Sequence, residues 1–141
     1  MDKLALAFSI TAKAFENKFD KGGKPYFLHC LFVWDLVKGE DEDTQCASIM
    51  HDLIEDTDWT FAKLTELGFS DKTIGMLHLL THNKGTDYME YIKAISVCKQ
   101  ATKIKMADLT HNSLIFRIKD VRKKDFDRLE KYIMAFKYLQ N

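Results

Sequence analysis

The sequence predicts an all-α fold, a single-domain helical bundle. The 141 residues include one proline and six glycines, so few positions interrupt a helix. Apolar residues recur at intervals of three and four along nearly the whole chain, which is the period of an amphipathic helix. No segment of useful length alternates as a strand does. With 46% hydrophobic and 30% charged residues, the composition is that of a globular protein, and we expect residues 1–141 to form one domain.

Polar and helix-breaking residues divide the first half of the chain into four predicted helices. Pro25 suits the first turn of a helix, where its missing N–H is not needed. The acidic segment 40–43 favours the start of the next helix. Thr60 can cap a short helix that ends at Gly68. The four predicted helices are 4–15, 25–38, 43–55 and 60–68.

The second half of the chain contains four further predicted helices. Ser70 is a suitable cap for a helix that continues to about Leu80. Residues 81–86 are polar and predict a turn region. The four predicted helices are 70–80, 88–97, 99–117 and 125–139.

Charge and cysteine content exclude several classes of function. Lys plus Arg equals Asp plus Glu at 21 each, which argues against a nucleic-acid-binding or anionic-membrane-binding protein. No apolar run reaches the roughly 18 residues that span a bilayer, and the N-terminus lacks a signal-peptide pattern. The cysteines are odd in number and lack a CxxC pair, so they predict reduced thiols. We therefore expect a cytoplasmic protein with a small-molecule partner.

Residues 51–57 carry four acid/base side chains in six positions. His51 and Asp52 can both bind one cation, an imidazole nitrogen beside a carboxylate oxygen. Glu55 and Asp56 follow them by four residues, so on a continuous helix each pair would share a face. This spacing places two metal-ligand candidates beside two candidate general bases and indicates a metal-dependent hydrolase.

Two further ligand candidates lie in apolar surroundings. His29 lies among apolar neighbours near a predicted buried surface. Asp108 interrupts a run that should face the core, where an unpaired carboxylate is costly. Asn112 lies one turn beyond Asp108. Two imidazoles and two carboxylates would suit manganese, iron, magnesium or zinc, and these alternatives stay open.

These segments together resemble a known family. The three segments are GKPYFLH at residues 23–29, HDLIEDT at 51–57 and KMADLTHN at 105–112. They resemble the GxPYxxH, HDxxEDT and KLADxxxN segments of the HD-domain phosphohydrolases, specifically the hydrolase domain of the Rel/Spo alarmone enzymes and their small stand-alone relatives. The resemblance covers roughly residues 4–118, and its segments occur in the family's order.

The resemblance implies an HD-type fold and an activity. It implies removal of the 3′-diphosphate from guanosine tetra- or pentaphosphate, with Mn²⁺ as the metal. It implies hydrolysis only, since no synthetase segment follows in the sequence. The implied roles are metal ligation by His29, His51, Asp52 and Asp108, water activation by Glu55 and Asp56, ribose contact by Asn112 and substrate binding by Lys21.

One departure from the family pattern bears on the substrate. Asp20 stands where the family usually has arginine, and an acid near the phosphate path would repel a polyanion. A second hypothesis therefore keeps the site but changes the substrate to another small nucleotide, such as NADPH or a nucleoside monophosphate. In that case Asp20→Arg should restore alarmone turnover. A third hypothesis is a non-catalytic nucleotide-binding protein.

Several residues have a structural interpretation beside the functional one. Lys21 could be a solvated loop lysine, and Glu55 and Asp56 could be helix-end charges paired with lysines. His78, His82 and His111 are expected to be ordinary histidines. Apolar positions such as Ile133 and Phe136 leave the oligomeric state open.

Overall fold

The all-α fold predicted from the sequence is confirmed. The computed structural model describes residues 2–141, and in that range every regular element is a helix, while Phe19 and Pro25 form an isolated antiparallel bridge. No helix in this range combines the length and apolarity needed to cross a membrane. The elements are α1 (Lys3–Ala14), α2 (Phe27–Val37), α3 (Glu42–Ile49), α4 (Leu53–Asp56), α5 (Phe61–Glu66), α6 (Asp71–Leu80), α7 (Tyr88–Ile95), α8 (Lys99–Asn112), a 3₁₀ turn (Ile115–Arg117) and α9 (Lys123–Gln140).

Side-chain caps explain where five of these helices begin. In each case the side-chain oxygen of the capping residue accepts the backbone N–H three residues later, which satisfies a donor that has no partner within the helix. Thr60 and Ser70 were both predicted from the sequence as helix starts. The five caps are Asp2, Asp41, Thr60, Ser70 and Asp87.

The centre of the bundle is formed by α2, α3 and α8. Helix α2 packs against both α3 and α8, while α1 and α6 cover α3, and α9 covers α8. The core contains fully buried Ile49, Leu53, Leu64, Ile92 and Ile104. Burial of each such side chain contributes about 1.5–3 kcal/mol. Three helices that are fixed by this core therefore supply the backbone of the site described below.

The predicted continuous helix over residues 43–55 is wrong, because it breaks at residues 50–52. Helix α3 ends at Ile49, and α4 begins at Leu53. Met50 (φ −95°, ψ 7°) and Asp52 (φ −101°, ψ 0°) have left the helical region for the bridge region of φ/ψ space. Adjacent residues on a helix point about 100° apart, whereas the break lets His51 and Asp52 approach the same point.

Two other predicted boundaries also differ from the structure. Pro25 precedes α2 by two residues instead of lying in its first turn. Helix α8 ends at Asn112 instead of continuing to residue 117. The carbonyl of His111 accepts a hydrogen bond from Arg117 Nη1 (2.9 Å), which replaces a backbone bond that a longer helix would have made.

Candidate metal centre and active site

Four side chains from three parts of the bundle converge at one point. His29 lies in α2, His51 and Asp52 lie at the break between α3 and α4, and Asp108 lies in α8. One ligand atom from each lies within 4.8 Å of all the others. His29 Nε2 is 2.9 Å from Asp108 Oδ1, and His51 Nε2 is 3.0 Å from Asp52 Oδ2. The structure thus brings together the four residues that the sequence singled out as metal-ligand candidates.

The donor set fits a divalent metal ion. His29, His51 and Asp108 are buried, while the Asp52 side chain keeps 17% exposure, so the cluster has one side that opens to a cavity. Two buried carboxylates beside two imidazoles are costly without a balancing cation. Two nitrogen and two oxygen donors suit several divalent metals. The group could therefore hold a metal ion.

The acidic and basic groups of the cluster shift one another's pKa values. Burial alone would raise the pKa of Asp108, but Lys105 and the two imidazoles outweigh it, so the pKa lies well below its usual value. Burial would lower the pKa of His51, but Asp52 and Asp108 outweigh it and raise the pKa. Without a cation, both carboxylates thus stay ionised and hold protons on the imidazoles. A metal ion would take the place of those protons.

Hydrogen bonds outside the cluster orient its members. His51 Nδ1 lies 2.8 Å from the Ser48 carbonyl, which requires a proton on Nδ1 and leaves Nε2 as the ligand nitrogen. The Tyr26 hydroxyl donates to Asp52 Oδ2 (2.6 Å). Lys105 Nζ donates to Asp108 Oδ2 (2.8 Å), so that carboxylate keeps Oδ1 towards the imidazoles. These contacts fix the ligand atoms before any ion binds.

His111 also belongs to the site, although the sequence analysis treated it as an ordinary histidine. Its Nδ1 lies 2.7 Å from Nδ1 of His29, and Phe32 stacks on its ring at a centroid distance of 4.1 Å. Burial, His29 and Arg117 lower the pKa of His111 to about 4. Its position three residues after Asp108, on the same side of a helix, was the available sequence signal.

Glu55 and Asp56 line a cavity of about 210 Å³ beside the cluster. Glu55 Oε1 accepts the backbone N–H of His82 (2.8 Å). Burial, Asp52 and Glu55 raise the pKa of Asp56 to about 6. Lys18 Nζ donates to the backbone carbonyl of Asp56 and not to its carboxylate. Among residues 2–141 neither acid forms an ion pair with a lysine, which favours the functional interpretation over helix-end pairing.

The lining of this cavity also contains basic and aromatic side chains. Lys131 Nζ lies 4.4 Å from the ring centroid of Tyr88. The Tyr88 hydroxyl is buried and has no hydrogen-bond partner in the described part of the chain. Burial raises the pKa of Tyr88 to about 12, so this hydroxyl is a donor at neutral pH. The lining of this cavity therefore includes the Lys131 side chain, whereas the Tyr88 hydroxyl is closed to solvent.

A second cavity of about 320 Å³ adjoins the first. Tyr26, Asn112 and Tyr132 line both cavities. Asn112 Nδ2 donates to Asp108 Oδ1 (3.0 Å), so it lies at the junction and also holds a ligand candidate. Lys21 lines only the second cavity. Both predicted substrate-binding residues, Asn112 and Lys21, therefore line the second cavity.

Asp20, which departs from the family pattern, is fully engaged within the protein. Its Oδ1 accepts the backbone N–H groups of Gly22 (2.9 Å) and Lys24 (2.9 Å). Its Oδ2 accepts Arg117 Nη2 (2.7 Å). Burial would raise the pKa of Asp20, but these partners outweigh it and the pKa is lowered. Arg117 thus compensates the charge that was expected to repel a polyanion.

Comparison with known proteins gives distant matches in sequence and a close match in fold. No protein-family model matches the chain. It is 28% identical over 129 residues to a GTP pyrophosphokinase of Myxococcus xanthus, and 27% identical over 122 residues to a probable GTP pyrophosphokinase of Mycobacterium leprae. Each match covers 79% of this chain but only 17% and 15%, respectively, of the relative, so the chain spans about a sixth of their length.

A solved structure matches nearly the whole chain. It is described as a metazoan ortholog of SpoT that hydrolyzes ppGpp and plays a role in starvation responses. The TM-score is 0.80 at 20% identity, with 99% of this chain and 85% of the other covered. This match confirms the helical fold. Together with the sequence relatives, it confirms the resemblance to the Rel/Spo enzymes that the three segments indicated.

Proposed function

We propose that this chain is a metal-dependent phosphohydrolase that converts ppGpp to GDP and pyrophosphate. The observation that carries the proposal is the convergence of His29, His51, Asp52 and Asp108 beside a cavity lined by Glu55 and Asp56. The description of the structural neighbour as a ppGpp-hydrolysing protein supports the same substrate. The curated relatives are named for a pyrophosphokinase activity, but a metal-ligand set beside candidate general bases favours attack by water.

We assign the metal to the four-residue cluster and propose Mn²⁺ as the ion. When bound, a divalent cation there would lower the pKa of a water molecule and withdraw charge from a phosphoryl oxygen. His51 Nε2 is already directed by the Ser48 carbonyl, and Asp108 Oδ1 by the Asn112 amide. Availability decides among metals at such a mixed site, so other divalent ions remain alternatives.

Asp56 and Glu55 have separate roles in the proposed reaction. The pKa of Asp56, about 6, makes it ionised at neutral pH and still basic enough to take a proton from attacking water. Glu55 is held by the His82 N–H, which fixes it to orient that water.

The substrate would lie across the two cavities. Lys131, which lines the first cavity, would bind phosphoryl oxygens there. Asn112 at the junction would contact the ribose, and Lys21 would bind the part of the nucleotide in the second cavity. We further propose a cytoplasmic location, since all three cysteines are free thiols.

The test combines metal analysis, a nucleotide panel and variants of two kinds. His51→Ala and Asp108→Ala should lose both bound metal and ppGpp hydrolysis. Glu55→Gln and Asp56→Asn should keep the metal but lower kcat, and for Asp56→Asn we expect a loss of about 10²–10⁴-fold, the usual contribution of a general base. The exposed acid Asp58, changed to Ala, is the matched control and should behave as the wild type. Full activity after chelation would overturn the mechanism.

A second candidate substrate is favoured by the ion pairs of the second cavity. Arg117 pairs with Asp20, and Arg128 pairs with Asp125. These pairs leave Lys21 as the cation of that cavity without a carboxylate partner among the described residues. This cavity would suit a nucleotide whose bound part carries less charge than a terminal diphosphate. NADPH and a nucleoside monophosphate are examples. Separate detection of phosphate and pyrophosphate release distinguishes the substrates, and tight binding without turnover would favour a non-catalytic binder.

A further inference from the structure

We propose that Arg117, anchored by Asp20, is a positioning residue for the metal ligand His29 and acts through His111. This inference rests on the proposed metal site. It links that site, through hydrogen bonds, to the loop at residues 20–24 beside the second cavity. Four contacts in series carry it. They are Asp20 Oδ2 to Arg117 Nη2 at 2.7 Å, Arg117 Nη1 to the His111 carbonyl at 2.9 Å, His111 Nδ1 to His29 Nδ1 at 2.7 Å, and His29 Nε2 to Asp108 Oδ1 at 2.9 Å.

The first step concerns the tautomer of His29. Its Nε2 faces Asp108 and Asp52, at 2.9 and 3.5 Å, so Nε2 is the atom that would bind the metal. Only an unprotonated nitrogen binds a metal, so the proton of neutral His29 must lie on Nδ1. At 2.7 Å, Nδ1 of His111 must then accept that proton's hydrogen bond. His111 thus selects the binding tautomer and fixes the ring plane of His29.

The second step concerns what holds His111. Phe32 stacks on the ring of His111. The backbone carbonyl of His111 lies in the last turn of α8. That carbonyl accepts Arg117 Nη1, so one guanidinium fixes the end of α8 at the residue that contacts His29. The other nitrogen of the guanidinium binds Asp20, which prevents Arg117 from turning towards solvent.

The third step concerns the loop at residues 20–24. Asp20 binds the N–H groups of Gly22 and Lys24, so the carboxylate that anchors Arg117 also shapes this loop. A Cβ at Gly22 would lie 2.2 Å from the Arg117 carbonyl oxygen, so glycine is needed for the close approach. The loop also carries Lys21, which lines the second cavity. Metal binding and occupation of that cavity should therefore influence each other.

The experiment is calorimetric titration of the purified full chain with Mn²⁺, with thermal unfolding as a check on folding. His111→Leu removes the acceptor and should weaken Mn²⁺ binding by about 10–100-fold, as is usual for loss of a partner that orients a ligand. His111→Asn places an amide oxygen near the Nδ1 position and should bind Mn²⁺ nearly as the wild type does. Arg117→Met should weaken binding by several-fold. Asp120→Asn, in the exposed Asp120–Arg122 pair nearby, is the matched control and should change nothing.

The double variant Arg117→Met, His111→Leu decides whether the residues act in series. If they do, it should bind Mn²⁺ no more weakly than His111→Leu alone, whereas independent effects would multiply. Multiplying effects, or wild-type affinity in folded Arg117→Met, would overturn the proposal. If His111→Leu does not fold, Arg117→Met and His111→Asn still decide. Wild-type protein that binds Mn²⁺ but hydrolyses no nucleotide would overturn only the proposed function, whereas wild type that binds neither Mn²⁺ nor another divalent cation would overturn both.

Discussion

At the scale of single residues, Asp56 is the proposed general base, and its surroundings set the pH range in which its carboxyl is ionised. Its carboxyl is partly shielded from water and lies near two other acids, Asp52 and Glu55. Burial, then Asp52, then Glu55 raise its pKa to about 6, while His51 and Lys18 act in the opposite direction. A carboxyl with an ordinary pKa would be a weaker base, so the surroundings of Asp56 suit it to proton transfer at neutral pH.

This pKa predicts an acid limb in the pH profile. Asp56 accepts a proton only when ionised, so kcat for ppGpp should fall as the pH decreases through about 6, or through a lower value where a bound cation stabilises the carboxylate. In metal-free protein, ¹³C NMR should show this carboxyl titrating near pH 6. Lys18→Met removes a charge that lowers the pKa and should move the midpoint upward. Asp58→Asn should leave the midpoint unchanged. A midpoint below 4.5 in metal-free protein would contradict the assignment.

The roles of individual side chains could be predicted only where one residue type at one spacing implies its chemistry. His51 and Asp52 stand together in the sequence, and a carboxylate in an apolar run singled out Asp108. The Asp20 contact with Arg117 joins residues 97 positions apart, and the His29 contact with His111 joins residues 82 apart. Neither pair has a local pattern, so their partners could not be identified from the sequence.

At the scale of elements, the loop at residues 20–24 decides how the departure at Asp20 should be interpreted. The carboxylate of Asp20 accepts two backbone N–H groups of its own loop and one guanidinium from the turn after α8. Two of these bonds lie within the loop, and the third ties the loop to the turn after α8. The Asp20 carboxylate therefore stabilises the conformation of the loop, and it is also a negative charge near the second cavity.

This arrangement predicts that Asp20→Arg lowers ppGpp turnover instead of restoring it. The substitution removes three hydrogen bonds and places a second guanidinium beside Arg117. We expect a raised KM from the displaced loop with Lys21, and a decrease in Tm, since each lost bond contributes about 1 kcal/mol. Steady-state kinetics and thermal unfolding measure both effects. The control Lys24→Met keeps the backbone N–H and should have a smaller effect. Increased turnover of ppGpp by Asp20→Arg would favour charge repulsion as the role of Asp20.

Comparison of the predicted and observed helix boundaries shows which of them the sequence pattern could predict. Ile49 and Leu53 keep a helical spacing across the break at residues 50–52, so periodicity alone could not reveal it. Leu114 and Phe116 continue the apolar pattern beyond Asn112, but Phe116 is 99% exposed. At the end of this helix the carbonyl of His111 accepts Arg117 Nη1, and Arg117 is anchored in turn by Asp20, a tertiary contact that periodicity does not predict. Caps at Thr60 and Ser70 could be predicted because the capping contact is only three residues long.

At the scale of the whole molecule, the bundle and the site depend on the same three helices. Helices α2, α3 and α8 form the centre of the packing, and they also carry or flank all four metal-ligand candidates. The fold class could be predicted because helical periodicity is repeated along the entire chain. The convergence of the ligands could be predicted through the family resemblance, since spacing alone does not determine which helices meet. Cation binding should therefore stabilise the whole bundle and not only one segment.

Thermal unfolding with and without metal tests this connection between the site and the bundle. A ligand that binds only the folded state at 100 times its Kd stabilises that state by about 2.7 kcal/mol. For a chain of this size we expect an increase in Tm on the order of 10 °C with Mn²⁺. Asp108→Ala should remove this increase, because it removes a ligand at the centre of the cluster, whereas Asp58→Ala should preserve it. An equal increase in wild type and Asp108→Ala would mean that Mn²⁺ stabilises the protein elsewhere. No increase in wild type would mean that the two imidazoles and two carboxylates do not bind the ion.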